Sequence, residues 1–285
     1  MIPQTFAYSR PGALQEALAL LASGDAKPLA GGMSLIPLMK LRLAAPGNVV
    51  DLSRIAGLDE IREEAGAIRI GAMATHYQME SSPLLRAWCP LIAEVAGTIG
   101  DVQVRNVGTI GGSVAHADPA ADYPAALLAL EAQVRLLSAK SDRTLPVSEF
   151  FVDMFTTALA PGEIVREIIV PVEDERTAVS YEKVAQPASG FAIVGIAARV
   201  AKSNGKVGMA RIGVTGLSAR AFRAASAEAL LEGTSGNADD VRRAAAVVAD
   251  GIDANSDLHA SAGYRRHLAR VSTERALAAA LARAA

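Results

Sequence analysis

Two glycine pairs are the stretches of this chain best suited to chemistry: Ala30-Gly31-Gly32-Met33-Ser34 and Thr109-Ile110-Gly111-Gly112-Ser113. A glycine pair after a strand lets the backbone approach an anion with no Cβ in the way. Several peptide N–H groups can then converge on phosphate oxygens, helped by the N-terminus of a following helix. The hydroxyls of Ser34, Thr109 and Ser113 add donors. Taken alone, each pair reads more readily as a tight structural turn. Neither is Gly-x-Gly-x-x-Gly and neither ends in the Lys-Ser/Thr of a P-loop, which disfavours a standard Rossmann or nucleoside-triphosphate site. Two separated Gly-Gly turns fit one extended diphosphate ligand lying between two subdomains.

Beyond the second pair stand two acids, Asp118 and Asp122, in Asp118-Pro-Ala-Ala-Asp-Tyr-Pro. Ahead of a helix, acids can serve simply as caps. Alternatively, an ionised Asp122 can accept hydrogen bonds from ribityl or ribose hydroxyls. His116 lies between the glycines and Asp118, but with His76, His259 and His267 scattered elsewhere no ligand spacing emerges, and no metal site is expected. Arg105-Asn106 reads as a loop brace and Trp88 as packing. Cys89 is the only cysteine, so the chain can form no internal disulfide and cannot by itself hold an iron–sulfur cluster.

These residues need elements to position them. Residues 11–23 have helical apolar spacing, with Ser9 as a candidate cap and Gly24 as a stop. A strand at 27–30 runs into the first glycine pair, Ser34 is placed to cap a helix over 35–43, and 48–52 is a second strand, making one β-α-β unit. Residues 67–72 alternate like a strand, Thr75 reads as a helix cap, and 91–99 as a helix ended by Gly100. The run 107–124 is loop-like and feeds a helix at 125–129; strands follow at 133–137 and 164–170. The polar stretch 173–178 is the expected domain boundary. Beyond it, 179–184, 191–200 and 206–217 read as antiparallel strands, with Asn204-Gly205 a hairpin turn. Helices are expected at 224–231, 238–252 and from 264 to the end. Strands followed by helices give an α+β second domain.

The bulk numbers agree with a globular protein. The 285 residues are 51% hydrophobic and 20% charged, and with a net charge of −2 and interspersed signs nothing suggests a nucleic-acid-binding surface. No apolar run approaches the ~20 residues of a membrane span. The N-terminal residues lack the pattern of a signal peptide, and a cytoplasmic location is expected.

Five segments together resemble the medium, FAD-binding subunit of the carbon monoxide dehydrogenase and xanthine dehydrogenase group of molybdenum hydroxylases. They are Ala30-Gly-Gly-Met-Ser-Leu-Ile-Pro-Leu-Met-Lys, Val104-Arg-Asn-Val-Gly-Thr-Ile-Gly-Gly-Ser, Ala115-His-Ala-Asp-Pro-Ala-Ala-Asp-Tyr-Pro-Ala, Gly162-Glu-Ile-Val and Tyr181-Glu-Lys-Val-Ala-Gln-Pro-Ala-Ser-Gly-Phe-Ala-Ile-Val. The resemblance spans nearly the whole chain. It implies an α+β fold: two α/β subdomains (about 1–55 and 56–175) clamping FAD in a vanillyl-alcohol-oxidase-like FAD-binding domain, 1–175, then an α+β C-terminal domain, 176–285, with an antiparallel sheet. It further implies that Ala30, Gly31, Gly32, Met33, Ser34 and Leu35 hold the pyrophosphate region. Thr109, Ile110, Gly111, Gly112 and Ser113 would line the diphosphate and flavin, with Asp118 beside them and Asp122 on sugar hydroxyls. Val165 would give an apolar contact, Lys183 a cation near the flavin ring, and Phe191 an aromatic near its face. Ser113 stands where asparagine is common, Met33 where histidine or threonine often occurs, and Pro187 stiffens the approach to Phe191.

By the same resemblance the chain is an electron-transfer subunit with no catalytic side chain of its own. Its partners would be a large molybdenum-cofactor subunit and a small 2Fe-2S subunit, in a dimer of heterotrimers. The flavin supplies the redox chemistry; the polypeptide supplies position and electrostatics. Two alternatives remain. A self-sufficient FAD-dependent reductase or oxidase would need an acid or base over the flavin, for which His116 is the first candidate. A scaffold that has lost the cofactor is at odds with both glycine pairs and Asp122.

Overall fold

In the computed structural model, residues 1–174 and 176–284 are described. Glu175, within the expected boundary stretch, and Ala285, at the end of the expected last helix, lie outside the described residues. Three sheets and the helices between them carry the architecture, and the connections decide the form of each sheet. The first is parallel: β1 (Ala7–Ser9), β2 (Ala26–Leu29) and β3 (Asn48–Asp51) stand in the order β1-β3-β2. Parallel neighbours require crossovers, supplied by α1 (Leu14–Leu21) and α2 (Leu35–Lys40). Ala17, Leu18 and Leu21 of α1 pack against Val50, Leu52 and Ile55. The expected strand–helix–strand unit is present. Ser9 does not cap α1: it ends β1, a strand too short to show alternation, and Ala13 takes the N-cap position without a side-chain bond. Ser34 occupies the N-cap position of α2, also without a side-chain bond, and the helix stops at Lys40 rather than at residue 43.

The second sheet is antiparallel and five-stranded, and a long helical excursion interrupts it. After β4 (Ile61–Glu64) and β5 (Ala67–Gly71) come α3 (His76–Ser81), α4 (Pro83–Trp88), α5 (Pro90–Gly97), α6 (Val102–Val107), α7 (Ile110–His116) and α8 (Tyr123–Ala129). Then follow β6 (Gln133–Leu137), β7 (Asp142–Pro146), α9 (Val147–Phe150), the hairpin strands β8 (Phe151–Asp153) and β9 (Thr156–Thr157), and β10 (Ile164–Pro171). β10 returns to the centre, giving the order β4-β5-β10-β6-β7. One face of the sheet, with Ile68, Ile70, Val134, Leu136, Ile168 and Val170, builds the largest core with α5, α7 and α8. Thr75 caps α3 as expected, in a capping box with Gln78. The loop-like reading of 107–124 is corrected: the second glycine pair lies in the first turn of a helix, α7. Two helical glycines cost roughly 1 kcal/mol each. The Thr109 cap, the buried side chains of Ile110 and Val114, and bonds from Ile110 N and Gly111 N to the carbonyls of Ala74 and Ala72 offset that cost.

The third sheet holds β11 (Thr177–Ala185), β12 (Ala192–Ser203), β13 (Lys206–Thr215) and β14 (Phe222–Arg223) in sequential antiparallel order. Asn204 and Gly205 both take positive φ, 52° and 72°, the two-residue turn whose twist suits a hairpin. Helices α10 (Ala225–Leu231), α11 (Ala238–Ala246) and α12 (Ala262–Arg283) follow. The expected helix 238–252 ends at Ala246, short of Gly251, whose φ is +71°. Ala269, Ala276 and Ala280 bring α12 close to the sheet, where they share a core with Val194, Ile196, Ala198 and Val200. The opposite face receives α8: a Cβ on Gly213 would stand 1.9 Å from Ala125 O, so only glycine allows that approach.

On the other face of the second sheet, β10 presents Glu167, fully buried beneath Arg69 (2.7 Å), Arg62 (3.1 Å) and Arg135 (3.2 Å). Burial alone would raise its pKa, but the hydrogen bonds from these guanidinium groups outweigh burial and hold it below the usual glutamate value. A folded pKa below the unfolded one gives stability that is complete above the unfolded value and is lost as pH falls through the folded one. Glu167→Gln, which keeps the shape without the charge, is therefore expected to cost about 3 kcal/mol at pH 7 and to flatten the acid loss below about pH 4.5. Urea unfolding of both forms at pH 7 and pH 3.5 checks this; an equal gap at both values would contradict it.

Candidate cofactor site

The first glycine loop leaves β2 and enters α2. Gly32 is buried with φ +72°, and the amides of Gly31, Gly32, Met33 and Ser34 make no hydrogen bond to any described residue. Amides in a turn that enters a helix have no partner within the helix, so this run of N–H groups is free to bond oxygens. The Ser34 hydroxyl, free of any capping bond, stands beside it. Ala30 and Leu35 flank the loop and are half-buried, while Met33 is exposed.

The second motif is used differently. Ile110 N donates to Ala74 O, Gly111 N to Ala72 O and Gly112 N to the Thr109 hydroxyl, so these three amides are engaged within the chain. Its glycines instead serve close approach. A Cβ on Gly111 would meet Ala72 O at 2.6 Å, burying α7 against the end of β5, whereas a Cβ on Gly112 would meet only the Thr109 hydroxyl (2.9 Å) and Ala30 Cβ (3.7 Å). The two motifs therefore face one another. The first loop also abuts the residues that lead into the second motif: a Cβ on Gly31 would lie 2.0 Å from Val107 O and 2.8 Å from Gly108 Cα. The expected convergence of N–H groups from both pairs is thus redistributed, with free donors on the first loop and a Cβ-free wall plus the Ser113 hydroxyl on the second.

Asp122 begins α8 but does not cap it. Its carboxylate is buried, accepting from Tyr181 Oη at 2.6 Å and from Lys183 Nζ at 2.8 Å. Lys183 also donates to Thr98 O at 3.0 Å, which ties β11 to the end of α5. Burial pushes the Asp122 carboxyl up, against the opposing charge of Lys183; burial and then the Asp122 charge raise the Tyr181 phenol well above its ordinary value. Asp118 accepts from Ala120 N at 2.8 Å and tightens the turn before α8. Val165 is buried in the main core, at an irregularity of β10. Phe191 is exposed, at the end of a loop whose Gly190 packs on Gly100 in the α5–α6 connection.

Sequence reading missed Tyr181 as part of the site, although alternation along β11 places it two residues from Lys183 on one face. His76 was also passed over. Its Nδ1 lies 2.9 Å from the hydroxyl of fully buried Tyr123, and its ring packs against Gly108. Burial pulls its pKa down to about 4, which keeps it neutral beneath the second motif. The His116 ring packs against Phe155, centroids 5.1 Å apart and tilted by 45°. No group of acids, histidines and cysteine placed to hold a metal occurs among the described residues.

The chain is similar to known proteins along its length. Residues 4–173 match the FAD binding domain in molybdopterin dehydrogenase, and residues 179–280 the CO dehydrogenase flavoprotein C-terminal domain. The chain belongs to the FAD-binding medium subunits of the molybdenum hydroxylases. Similar relatives include the carbon monoxide dehydrogenase medium chain of Hydrogenophaga pseudoflava, 40% identical over 100% of both chains. Another is the 6-hydroxypseudooxynicotine dehydrogenase complex subunit alpha of Paenarthrobacter nicotinovorans, 38% identical over 100% of this chain and 97% of that one. Among solved structures, carbon monoxide dehydrogenase from Hydrogenophaga pseudoflava superposes with a TM-score of 0.97 at 42% identity, covering 100% of each chain. Within this family's cofactor, FAD, the diphosphate suits the unpaired amides of residues 31–34 and the Cβ-free wall at Gly112.

The buried ion pair yields a stability prediction. Asp122→Asn strips the charge facing Lys183 and is expected to cost about 3–5 kcal/mol. Adding Lys183→Met should recover part of that loss, because the stranded ammonium is removed. A double-mutant cycle by urea unfolding checks this; simple additivity would show that the two side chains are not coupled.

Proposed function

We propose that this chain holds one FAD between its two glycine motifs and relays electrons inside a multi-subunit molybdenum dehydrogenase. Electrons arrive from iron–sulfur clusters on a small 2Fe-2S partner, reduced in turn by a large molybdenum-cofactor subunit, and leave to an external acceptor. Bound FAD supplies the electron-accepting chemistry. The observation that carries the reading is the run of unpartnered amides from Gly31 to Ser34, seated against Val107 and Gly108 at the entrance to the second motif.

In this reading the amides of residues 31–34, flanked by Ala30 and Leu35, bind the pyrophosphate. Thr109, Ile110, Gly111, Gly112 and Ser113 form the wall along which the ligand lies. Asp122 uses two of its roughly four lone-pair positions on Tyr181 and Lys183, so it retains acceptors for sugar hydroxyls, as does the free oxygen of Asp118. Lys183 has a third N–H, and its fixed charge favours electron uptake by a neighbouring ring. Val165 supports α7 from the core, and Phe191 offers an aromatic edge to the ring. No side chain of this chain acts as acid, base or nucleophile. The division into a FAD-binding domain, 1–175, and a C-terminal domain, 176–285, a dimer of heterotrimers and a cytoplasmic location belong to the same reading. Among the described residues no helix is long and apolar enough to cross a membrane.

The relatives' names support a division of labour. Two chains about equally similar to this one are the medium chain of a carbon monoxide dehydrogenase and subunit alpha of a 6-hydroxypseudooxynicotine dehydrogenase complex. Substrates so different argue that recognition resides on another subunit.

The test is the visible spectrum. The purified chain should carry flavin or take up FAD one to one, with a rise in Tm. Gly112→Val, which pushes into the Thr109 cap and toward Ala30, should lose FAD while its far-ultraviolet circular dichroism stays near wild type. A wild-type protein that is colourless and whose Tm does not respond to FAD would sink the reading.

A further inference from the structure

Three consecutive carbonyls of the acidic segment are held by one end of the C-terminal sheet. Pro119 O accepts from Gly216 N at 2.8 Å, and Ala120 O accepts from Ala192 N at 3.2 Å. The Thr215 hydroxyl lies 2.7 Å from Ala121 O and 3.0 Å from Pro119 O. These donors sit where the pairing of β12 with β13 runs out, the last partners being Gly195 and Thr215. Past that pair the strand ends have no ladder to hold them together. Instead the carbonyls of Ile193 and Gly216 converge on one nitrogen, Arg265 Nη1, at 2.5 and 2.8 Å. Arg265 Nη2 donates to Asp257 at 2.6 Å.

The guanidinium projects from the first turn of α12, which Ser261 caps, and its side chain is only 6% exposed. Arginine stays charged at any working pH and offers several donors in a rigid fork, which a single ladder bond cannot replace. It thus substitutes for the missing rung of the sheet. Nothing in the FAD-site motifs requires a buried cation here, and no acid of the site touches it.

We infer that Arg265 is a positioning residue for the cofactor site. By clamping the ends of β12 and β13 it sets where the Asp118–Asp122 segment lies, and with it the Asp122–Lys183 pair. The route runs from Arg265 to Gly216 O, across that peptide's neighbour to Gly216 N and Pro119 O, and along three residues to Asp122. The inference rests on the reading of that segment as part of the FAD site.

The experiment compares full-length wild type with Arg265→Met, Arg265→Lys, Asp257→Asn and a control, Leu277→Ala, which opens a buried gap in the same helix. FAD affinity, the visible circular dichroism of bound flavin, Tm and hydrogen exchange of peptides covering 118–122 and 190–217 are measured. Arg265→Met should weaken FAD binding by about tenfold or more, the scale of one charged hydrogen bond, alter the flavin circular dichroism and speed exchange in both peptides. Arg265→Lys and Asp257→Asn should lie between it and wild type. Leu277→Ala should lower Tm with FAD affinity and flavin circular dichroism unchanged. If Arg265→Met lowers only Tm, or if Leu277→Ala weakens FAD as much for the same Tm loss, Arg265 is merely structural. Should wild type itself fail to bind FAD, the functional reading falls; the exchange of residues 118–122 in Arg265→Met and Arg265→Lys then still decides whether the clamp sets that segment.

Discussion

The carboxylate of Asp122 is where the parts of the molecule meet. It sits at the start of α8, buried, with one oxygen on Tyr181 and the other on Lys183, both from β11 of the C-terminal sheet. A buried charge is tolerable only when its partners are in place. The position of α8 is thereby coupled to that of β11, and through the bond from Lys183 to Thr98 O to the end of α5 as well. Close packing reinforces the coupling, since Gly213 admits the Ala125 carbonyl where any side chain would collide. A cofactor cleft along these elements inherits its shape from this joint.

The glycines divide two tasks that look identical in one dimension. At the first loop they leave backbone donors unspent; at the second they let a helix seat itself on β5 and leave a bare face. Both tasks exploit the missing Cβ, but only the first also uses freedom in φ, at Gly32. A diphosphate needs both donors and close approach, so the two motifs are complementary rather than redundant.

The electrostatics are consistent with relay rather than turnover. Burial shifts His76 and Cys89 toward neutrality, to about 4 and about 12. Neither is poised to exchange protons near neutral pH, and His116 pairs with an aromatic ring. What remains near the glycine motifs is fixed charge and fixed hydrogen bonding, which suits a protein that tunes and orients a redox cofactor.

Much of this was legible in the sequence. Alternation marked the strand at 67–72, Asn204-Gly205 marked the hairpin, and Thr75 marked its helix, because each rests on local chemistry. The two glycine motifs and Asp122 stood out for the same reason. The sequence did not reveal that 107–124 contains α7, since its helical state depends on carbonyls of Ala72 and Ala74 far along the chain. Nor did it reveal β1, β4, β7 or β14, strands whose existence depends on a neighbour to pair with. Residue types and their order determined by themselves which chemistry is available: donors, a carboxylate, a lysine and no metal or thiol site. Only the tertiary structure decided which donors are free and which acid holds which cation, because a hydrogen-bonding group has as many possible partners as the chain has polar atoms, and packing selects among them.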